Sequence, residues 1–394
     1  MKIYEKIKQQ LNPRMYERRT FFNLLTCSFA LLLFFIGVRV ASNDVALSEF
    51  MSRTVNRWYN TAVGSFFSVF APFSLYECFI FIAIASVLCL LTRMIMQFHR
   101  RFFYRAFSSL LVIVIAALSV MGIYCFTTSF EYNRAEMPIP TREREISLLD
   151  ARTFAEDYVD ELNRLATKFD FDGETEYVIS PYSFTELSNI IKEEYKKVTD
   201  DYFSPYSPDA KLISCSRIMS NLHITGFAFS PFGEANINAL TPPRSVPIVI
   251  AHEMAHIKGV MREDDANLLA YYICLNADNE FVRYCAYAYT LNNVISATYS
   301  IHDDYYSQLR QQVPKEVDRE TAAASAFWRE YSLFQDISNW VNDLYLKFNG
   351  TNGTIDYTDP GSTTNEPPEY VPAEEITISL SRVQQVIFNI PVKN

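Results

Sequence analysis

Three long apolar runs dominate the first third of the chain, at residues 21–38, 74–92 and 106–126. Each is near the roughly 20 residues that carry a helix across about 30 Å of hydrocarbon, so they predict three transmembrane helices. No small-residue cleavage site follows the first run and two more spans come after it, which reads as an anchor rather than a removed signal peptide. Between the first two runs Phe50, Val55, Trp58, Val63, Phe66, Phe67 and Phe70 recur through a polar stretch. That pattern predicts an amphipathic anchoring helix on the outer membrane surface. Ser74 and Glu77 fit a capping box at the start of the second span, so Glu77 is expected as an interfacial cap and not as an intramembrane carboxylate.

Beyond residue 126 the periodicity is mainly helical. Residues 147–168 and 183–200 carry it, opened by Ser147 with Asp150 and by Ser183 with Glu186, both N-terminal signals. Gly226 to Asn238 alternates instead, placing Glu234, Asn236 and Asn238 on one face of an edge strand or hairpin. Such an edge either pairs with an extended substrate or simply packs, and the pattern leaves both open. Pro242-Pro243-Arg244-Ser245 then breaks the chain and ends on an N-cap residue, with Pro247 tolerated in the first turn of the next helix. Val246, Ile248, Val249, Ile250 and Ala251 are apolar nearly all round, the mark of a buried helix. Gly259 offers its end, residues 263–272 read as an acidic first turn leading into an apolar helix, and residues 279–301 as another. Residues 351–373 are rich in Thr, Asn, Pro, Gly and Glu and read as an exposed acidic linker, after which Ile376 to Ile390 turn apolar again and are expected to pack back. The expected organisation is a basic N-terminus (1–20), a membrane region (21–126), an extracytoplasmic domain (127–350), a linker (351–375) and a packed C-terminal segment (376–394).

Charge divides the same way. Residues 1–105 carry a net +8 and the remainder −18, against −10 for the whole chain. Basic residues precede the first span (Lys2, Lys6, Lys8, Arg14, Arg18, Arg19) and fill the loop between the second and third (Arg93, Arg100, Arg101, Arg105). By the positive-inside rule both segments are cytoplasmic and the acidic domain lies outside. That domain has no basic stripe, which argues against nucleic acid as a partner. Of the seven cysteines, Cys27, Cys78, Cys89 and Cys125 fall in or at the ends of spans, leaving Cys215, Cys274 and Cys285. A Cys274–Cys285 bridge is conceivable, but there is no C-x-x-C spacing. No Gly-rich phosphate loop and no G-x-S-x-G elbow occurs, so neither nucleotide hydrolysis nor serine hydrolase chemistry is indicated.

The chemistry concentrates at His252-Glu253-Met254-Ala255-His256. Residues four apart share a helix face, so His252 and His256 can grip one metal while Glu253, about 100° further round, reaches a water on it. The alternative, two core histidines satisfied by hydrogen bonds, would crowd three polar groups into an apolar helix at several kcal/mol of desolvation. His223 and His302, the nearest other imidazoles in sequence, read as packing or surface residues. A catalytic zinc needs a third protein ligand from the next element. Glu263, Asp264 and Asp265 stand there, although acidic residues also favour a helix N-terminus for dipole reasons alone.

Glu263-x-x-Ala266-Asn267 resembles the Glu-x-x-Ala-Asp/Asn pattern that supplies the third ligand in gluzincin-type membrane zinc peptidases. The resemblance favours Glu263, whose side chain also reaches further, over Asp265. More widely, Gly226 to Asn238, the His-Glu-Met-Ala-His helix with Gly259, Glu263 to Ala270 and Arg283-Tyr284 resemble an uncharacterised bacterial family. Ala71 to Glu77 and Asp343 to Gly350 extend the likeness. Its members are multi-pass membrane proteins with a zincin-like extracytoplasmic domain of unknown function. The family pattern often has Glu at position 265 and Gln at position 258, which leaves the third ligand open. The resemblance implies a membrane α-helical region plus a mainly α (α+β) zincin-like domain with a small sheet or hairpin beside the HExxH helix. The expected activity is zinc-dependent hydrolysis of a peptide or amide bond in an unidentified peptide or protein. Glu253 would be the base, and Tyr284 or Arg283 candidate oxyanion donors. The competing expectation is a zinc-binding sensor or scaffold that cleaves nothing.

Overall fold

The computed structural model describes residues 13–68, 73–349, 363–364 and 372–393. Phe70, the basic Lys2, Lys6 and Lys8, and most of the acidic linker lie outside the described residues. The chain is mostly helical with two small sheets, and it divides into two compact units. One contains the described part of Met1–Asn56, Leu75–Ala135 and Ser230–Phe232; the other contains Arg57–Ser74, Glu136–Phe229 and Gly233–Asn394.

The first unit is built on α1 (Pro13–Ala41), followed by the short α2 (Val45–Met51) and a π-helical turn over Ser52–Asn56. After α3 (Arg57–Ser68), which belongs to the second unit, come α4 (Leu75–His99) and α5 (Phe103–Tyr132). Three of these helices are long and apolar enough to cross a membrane: Met15–Ala41, Leu75–His99 and Phe103–Tyr132, of 27, 25 and 30 residues. At about 1.5 Å per residue each exceeds the hydrocarbon thickness; the first and third outrun their apolar runs at both ends, the second at its C-terminal end. Phe21 meets Tyr104 and Phe107, Phe34 meets Phe126, and Arg39 donates to the Ser129 hydroxyl at 2.9 Å. Contacts that advance together along both helices make α1 and α5 parallel. The outer surfaces of α1 and α4 leave Phe29, Val40, Ile82, Leu88 and Ile95 largely exposed, an apolar area that water does not tolerate and lipid does.

The stretch read as an amphipathic anchoring helix keeps its aromatics outward, as that reading expects. Its buried positions are Ser48, Ser52, Asn56, Asn60 and Gly64, while Phe50, Trp58 and Phe66 are 59%, 69% and 64% exposed. Polar groups face protein and aromatics face outward, as expected of a helix bordering lipid. A strict four-residue repeat also explains the π turn. An ideal α-helix overshoots a full turn by about 40° every four residues, and one wider turn resets the stripe.

The second unit carries β1 (Glu145–Ser147) and then α6 (Leu148–Ala166) and α7 (Phe184–Tyr195). Ser147 caps α6 by accepting from Asp150 N–H, and Ser183 with Glu186 forms a complete capping box on α7. There follow β2 (Ala210–Ile213), α8 (Ser216–Asn221), β3 (Gly226–Phe229) and β4 (Glu234–Asn238). β4 is the central strand, parallel to β2 and antiparallel to β3, so β3 is the edge. On the polar face of β4 two residues are tied into the fold, while the buried Asn236 side chain has no hydrogen-bond partner among the described residues. Glu234 pairs with Lys211 at 2.6 Å, both buried, and Asn238 donates to Ser220 Oγ and the Ile224 carbonyl. Its other face, Ala235 and Ile237, joins the core.

Helices α9 (Val246–Ile257), α10 (Glu263–Asn276) and α11 (Glu280–Ser296) fill that core, stacked in succession and backed by α6. Tyr158 stacks on Tyr287 at 4.2 Å. The peripheral α12 (Tyr305–Arg310), α13 (Lys315–Glu330) and α14 (Gln335–Phe348) follow. β5 (Thr363–Thr364) pairs with β6 (Thr377–Ser379), which also pairs with β1, and α15 (Arg382–Ile387) ends the fold. Ile376, Ile378, Leu380, Val386, Ile387 and Phe388 are buried, so this last segment is core. Cys274 and Cys285 are both buried and unbridged.

Candidate metal centre

A 3-10 turn over Pro243–Ser245 leads into α9, with Pro247 in the first turn, where no intrahelical donor is required of it. Ser245 occupies the N-cap without a side-chain capping bond. The other end is tightly specified. Gly259, at φ +92°, takes the left-handed position; its N–H donates to His256 O at 3.1 Å, and Val260 N–H donates to Ala255 O at 3.1 Å. This paired closure is a Schellman turn, which glycine adopts without steric cost. It also turns the Val260 carbonyl back onto the helix, 2.8 Å from His256 Nδ1. A carbonyl can only accept, so Nδ1 carries the proton and Nε2 presents its lone pair.

Two further side chains converge on that nitrogen. His256 Nε2 lies 3.1 Å from His252 Nε2 and 3.7 Å from Glu263 Oε1, and His252 Nε2 lies 3.2 Å from Glu263 Oε2. Four ligands at about 2.0–2.1 Å around tetrahedral zinc are separated by roughly 3.3 Å, so these spacings match the edges of such a site. Glu263 reaches the cluster from the first turn of α10, and Asn267, one turn further on, hydrogen-bonds the His252 ring. Asp265 points elsewhere: its carboxylate meets Arg382 at 2.7 Å and Arg262 at 3.6 Å, tying α10 to the C-terminal helix.

Glu253 is 3% exposed and sits beneath the edge strand. It accepts from Ala228 N–H, so this edge group faces the carboxylate rather than a neighbouring strand. Its Oε2 has no hydrogen-bond partner among the described residues. Gly226 makes the approach possible, because a Cβ there would stand 2.7 Å from Glu253 Oε1. Burial pushes the Glu253 pKa up to about 8, and Glu263 adds to the rise against the charge of His252. Glu263 is held down at about 2: burial opposes its charge, but the two imidazoles outweigh it. Burial and the neighbouring His252 lower His256 to about 4, whereas Glu263 and Glu253 overcome burial and hold His252 up at about 9. A buried acid, two imidazoles with converging nitrogens and an ionised carboxylate form a donor set suited to a divalent cation. Side-chain exposures of 35% for Glu263 and 16% for His252 leave it open on one side.

The remaining candidates serve the fold. Tyr284 donates to Glu320 at 3.0 Å inside the core, and Arg283 donates to the carbonyls of Ala277 and Asp278. His223 packs on Trp328, and His302 lies in the turn beside Asp303. A concave surface of about 700 Å3 around Arg142, Glu145, Asp150 and Thr377 shares no residue with the histidine cluster. Converging donor atoms, not cavity volume, decide where a metal binds. Two contributors carry no assignable role in the sequence. Asn267 is visible there only as part of a pattern. Asn60, which donates to the carbonyl of Ile257 at 3.1 Å and so caps α9 from α3, has no signal beyond the four-residue stripe.

Compared with known proteins, residues 51–359 match a family described as Protein of unknown function (DUF3810). The match covers well over half of the chain, which therefore belongs to that family. No curated protein and no solved structure matches it.

Proposed function

We propose that this DUF3810 member is a membrane-anchored zinc peptidase, with the metal held by His252, His256 and Glu263 and with Glu253 as general base. The observation that carries the reading is the buried, unpartnered Glu253 Oε2 beside three side chains whose donor atoms approach one another to 3.1, 3.2 and 3.7 Å. Zinc bound there supplies Lewis-acid polarisation of the scissile carbonyl and a water of lowered pKa. The chain's own groups do the rest. Ala228 N–H fixes one Glu253 oxygen, leaving Oε2 to take a proton from water and return it to the leaving amine. Val260 and Asn267 hold the two imidazoles in orientation. The three apolar spans and the placement of Arg and Lys support a multi-pass protein with a cytoplasmic N-terminus and the metal-binding domain outside.

Glu253→Gln tests hydrolysis directly. It keeps the shape and is not a ligand, so zinc content should stay near one per chain. Cleavage of a peptide library by the detergent-purified protein should fall by a factor on the order of 10² to 10⁴. Zinc retained together with undiminished cleavage would sink the peptidase reading; zinc bound with no cleavage by the unaltered protein would favour a sensor or scaffold.

A further inference from the structure

The buried polar stripe of the first unit is more than packing. We propose that Ser52, Asn56 and Glu131 form a binding site for a monovalent hard cation, with sodium as the probe ion. Ser52, Asn56 and Glu131 are 5%, 0% and 3% exposed, and Ser52 Oγ, Asn56 Oδ1 and Glu131 Oε2 have no hydrogen-bond partner among the described residues.

The amide orientation is fixed by its surroundings. Asn56 Nδ2 is 3.3 Å from the Thr127 carbonyl and 3.4 Å from Glu131 Oε1, and since a carbonyl can only accept, the nitrogen must face it. Oxygen is therefore what Asn56 leaves over. The neighbouring hydroxyls cannot serve it. Thr127 and Thr128 donate to carbonyls of Ile123 and Tyr124 in their own helix, and Ser48 donates to Ser42 O. The nearby arginines are engaged too: Arg53 and Arg134 both contact Glu49, at 2.8 and 3.4 Å, and Arg39 donates to Ser129. Arg134 acts on Glu131 only through space. What remains is three oxygens, one of them from a carboxylate: Ser52 and Asn56 are the two buried residues of the π turn, one turn apart, and Asn56 touches Glu131. Hard cations take such all-oxygen ligands, and a single carboxylate suits one positive charge better than two. This site is independent of the zinc reading, which lies in the other unit.

Amide hydrogen exchange of the full-length protein in nanodiscs, in sodium chloride and in choline chloride of equal ionic strength, tests it. Exchange within Val45–Asn56 and in the last two turns of α5 should slow saturably with sodium. At ten times the dissociation constant the slowing should be about tenfold, because occupancy protects by the factor 1 + [ion]/Kd. Glu131→Gln should abolish the response. Ser52→Ala, which removes one hydroxyl and leaves the charge, should keep the fold and move the sodium midpoint several-fold higher. Identical exchange in the two salts would overturn the proposal in favour of an ordered water. Slowing on acidification without any sodium dependence would overturn it in favour of a proton on Glu131.

Discussion

Gly226→Ala is a sharp probe of the site because its effect follows from three distances. The added methyl would stand 2.7 Å from Glu253 Oε1, 2.9 Å from Glu253 Cγ and 3.0 Å from the carbonyl oxygen of Asn236. The Asn236 carbonyl is held in the β3–β4 pairing, so the strand cannot retreat far and the carboxylate must move. Forcing a methyl into a packed interior costs about 1–3 kcal/mol. Breaking the Ala228 bond to a buried carboxylate adds roughly 1–3 kcal/mol. A combined loss of about 2–6 kcal/mol lowers Tm by approximately 4–24 °C for a domain of this size. The decisive assay is a double-mutant cycle by thermal unfolding in detergent. Glu253→Ala removes the clashing atoms, so adding Gly226→Ala to it should cost less than half of what it costs alone, leaving only the 3.0 Å backbone contact. Equal costs in the two backgrounds would refute the claim that Gly226 exists to admit Glu253. The same would follow if Gly226→Ala changed stability by less than about 0.5 kcal/mol.

Two further outcomes are expected. Metal analysis should find Glu263→Ala depleted of zinc and Asp265→Ala close to wild type, because the Asp265 carboxylate is spent on Arg382 and Arg262; the reverse result would transfer the ligand role to Asp265. In intact cells a membrane-impermeant thiol reagent should reach Asp170→Cys and fail to reach Arg100→Cys until the cells are opened, and the opposite pattern would move the histidine-bearing domain to the cytoplasm.

The long apolar helices and the shared face of the two histidines are legible in the sequence because each rests on a one-dimensional signal. About 20 apolar residues suffice to state a span, and the four-residue spacing of His252 and His256 suffices to place both on one face. Capping chemistry is equally local, which is why Ser147 and Ser183 mark the starts of their helices. The features that escape a sequence reading are those that depend on a partner distant in the chain. Alternation alone places Glu234, Asn236 and Asn238 beside a cleft, yet Lys211 and Ser220 claim Glu234 and Asn238 for the interior. Asp265 stands beside Glu263 as a candidate ligand because nothing in the local sequence announces Arg382, 117 residues further on. The same holds for Tyr284, whose hydroxyl is committed to Glu320.

The stretch between the first two spans shows how a polarity pattern and its surroundings fit together. In water the apolar side of an amphipathic helix turns to the protein and the polar side to solvent. Next to lipid that assignment reverses, since the cheapest place for Ser52, Asn56 and Asn60 is against other protein groups and the cheapest place for Trp58 and Phe66 is outside. The consequence reaches the candidate metal centre. Because polar side chains face inward, Asn60 is available to cap Ile257, the last residue of the helix that carries both histidines. An apolar inward face would have left that carbonyl without this partner. The inverted polarity thus couples how the juxtamembrane helix lies to how the HExxH helix ends, through one amide that no local pattern identifies.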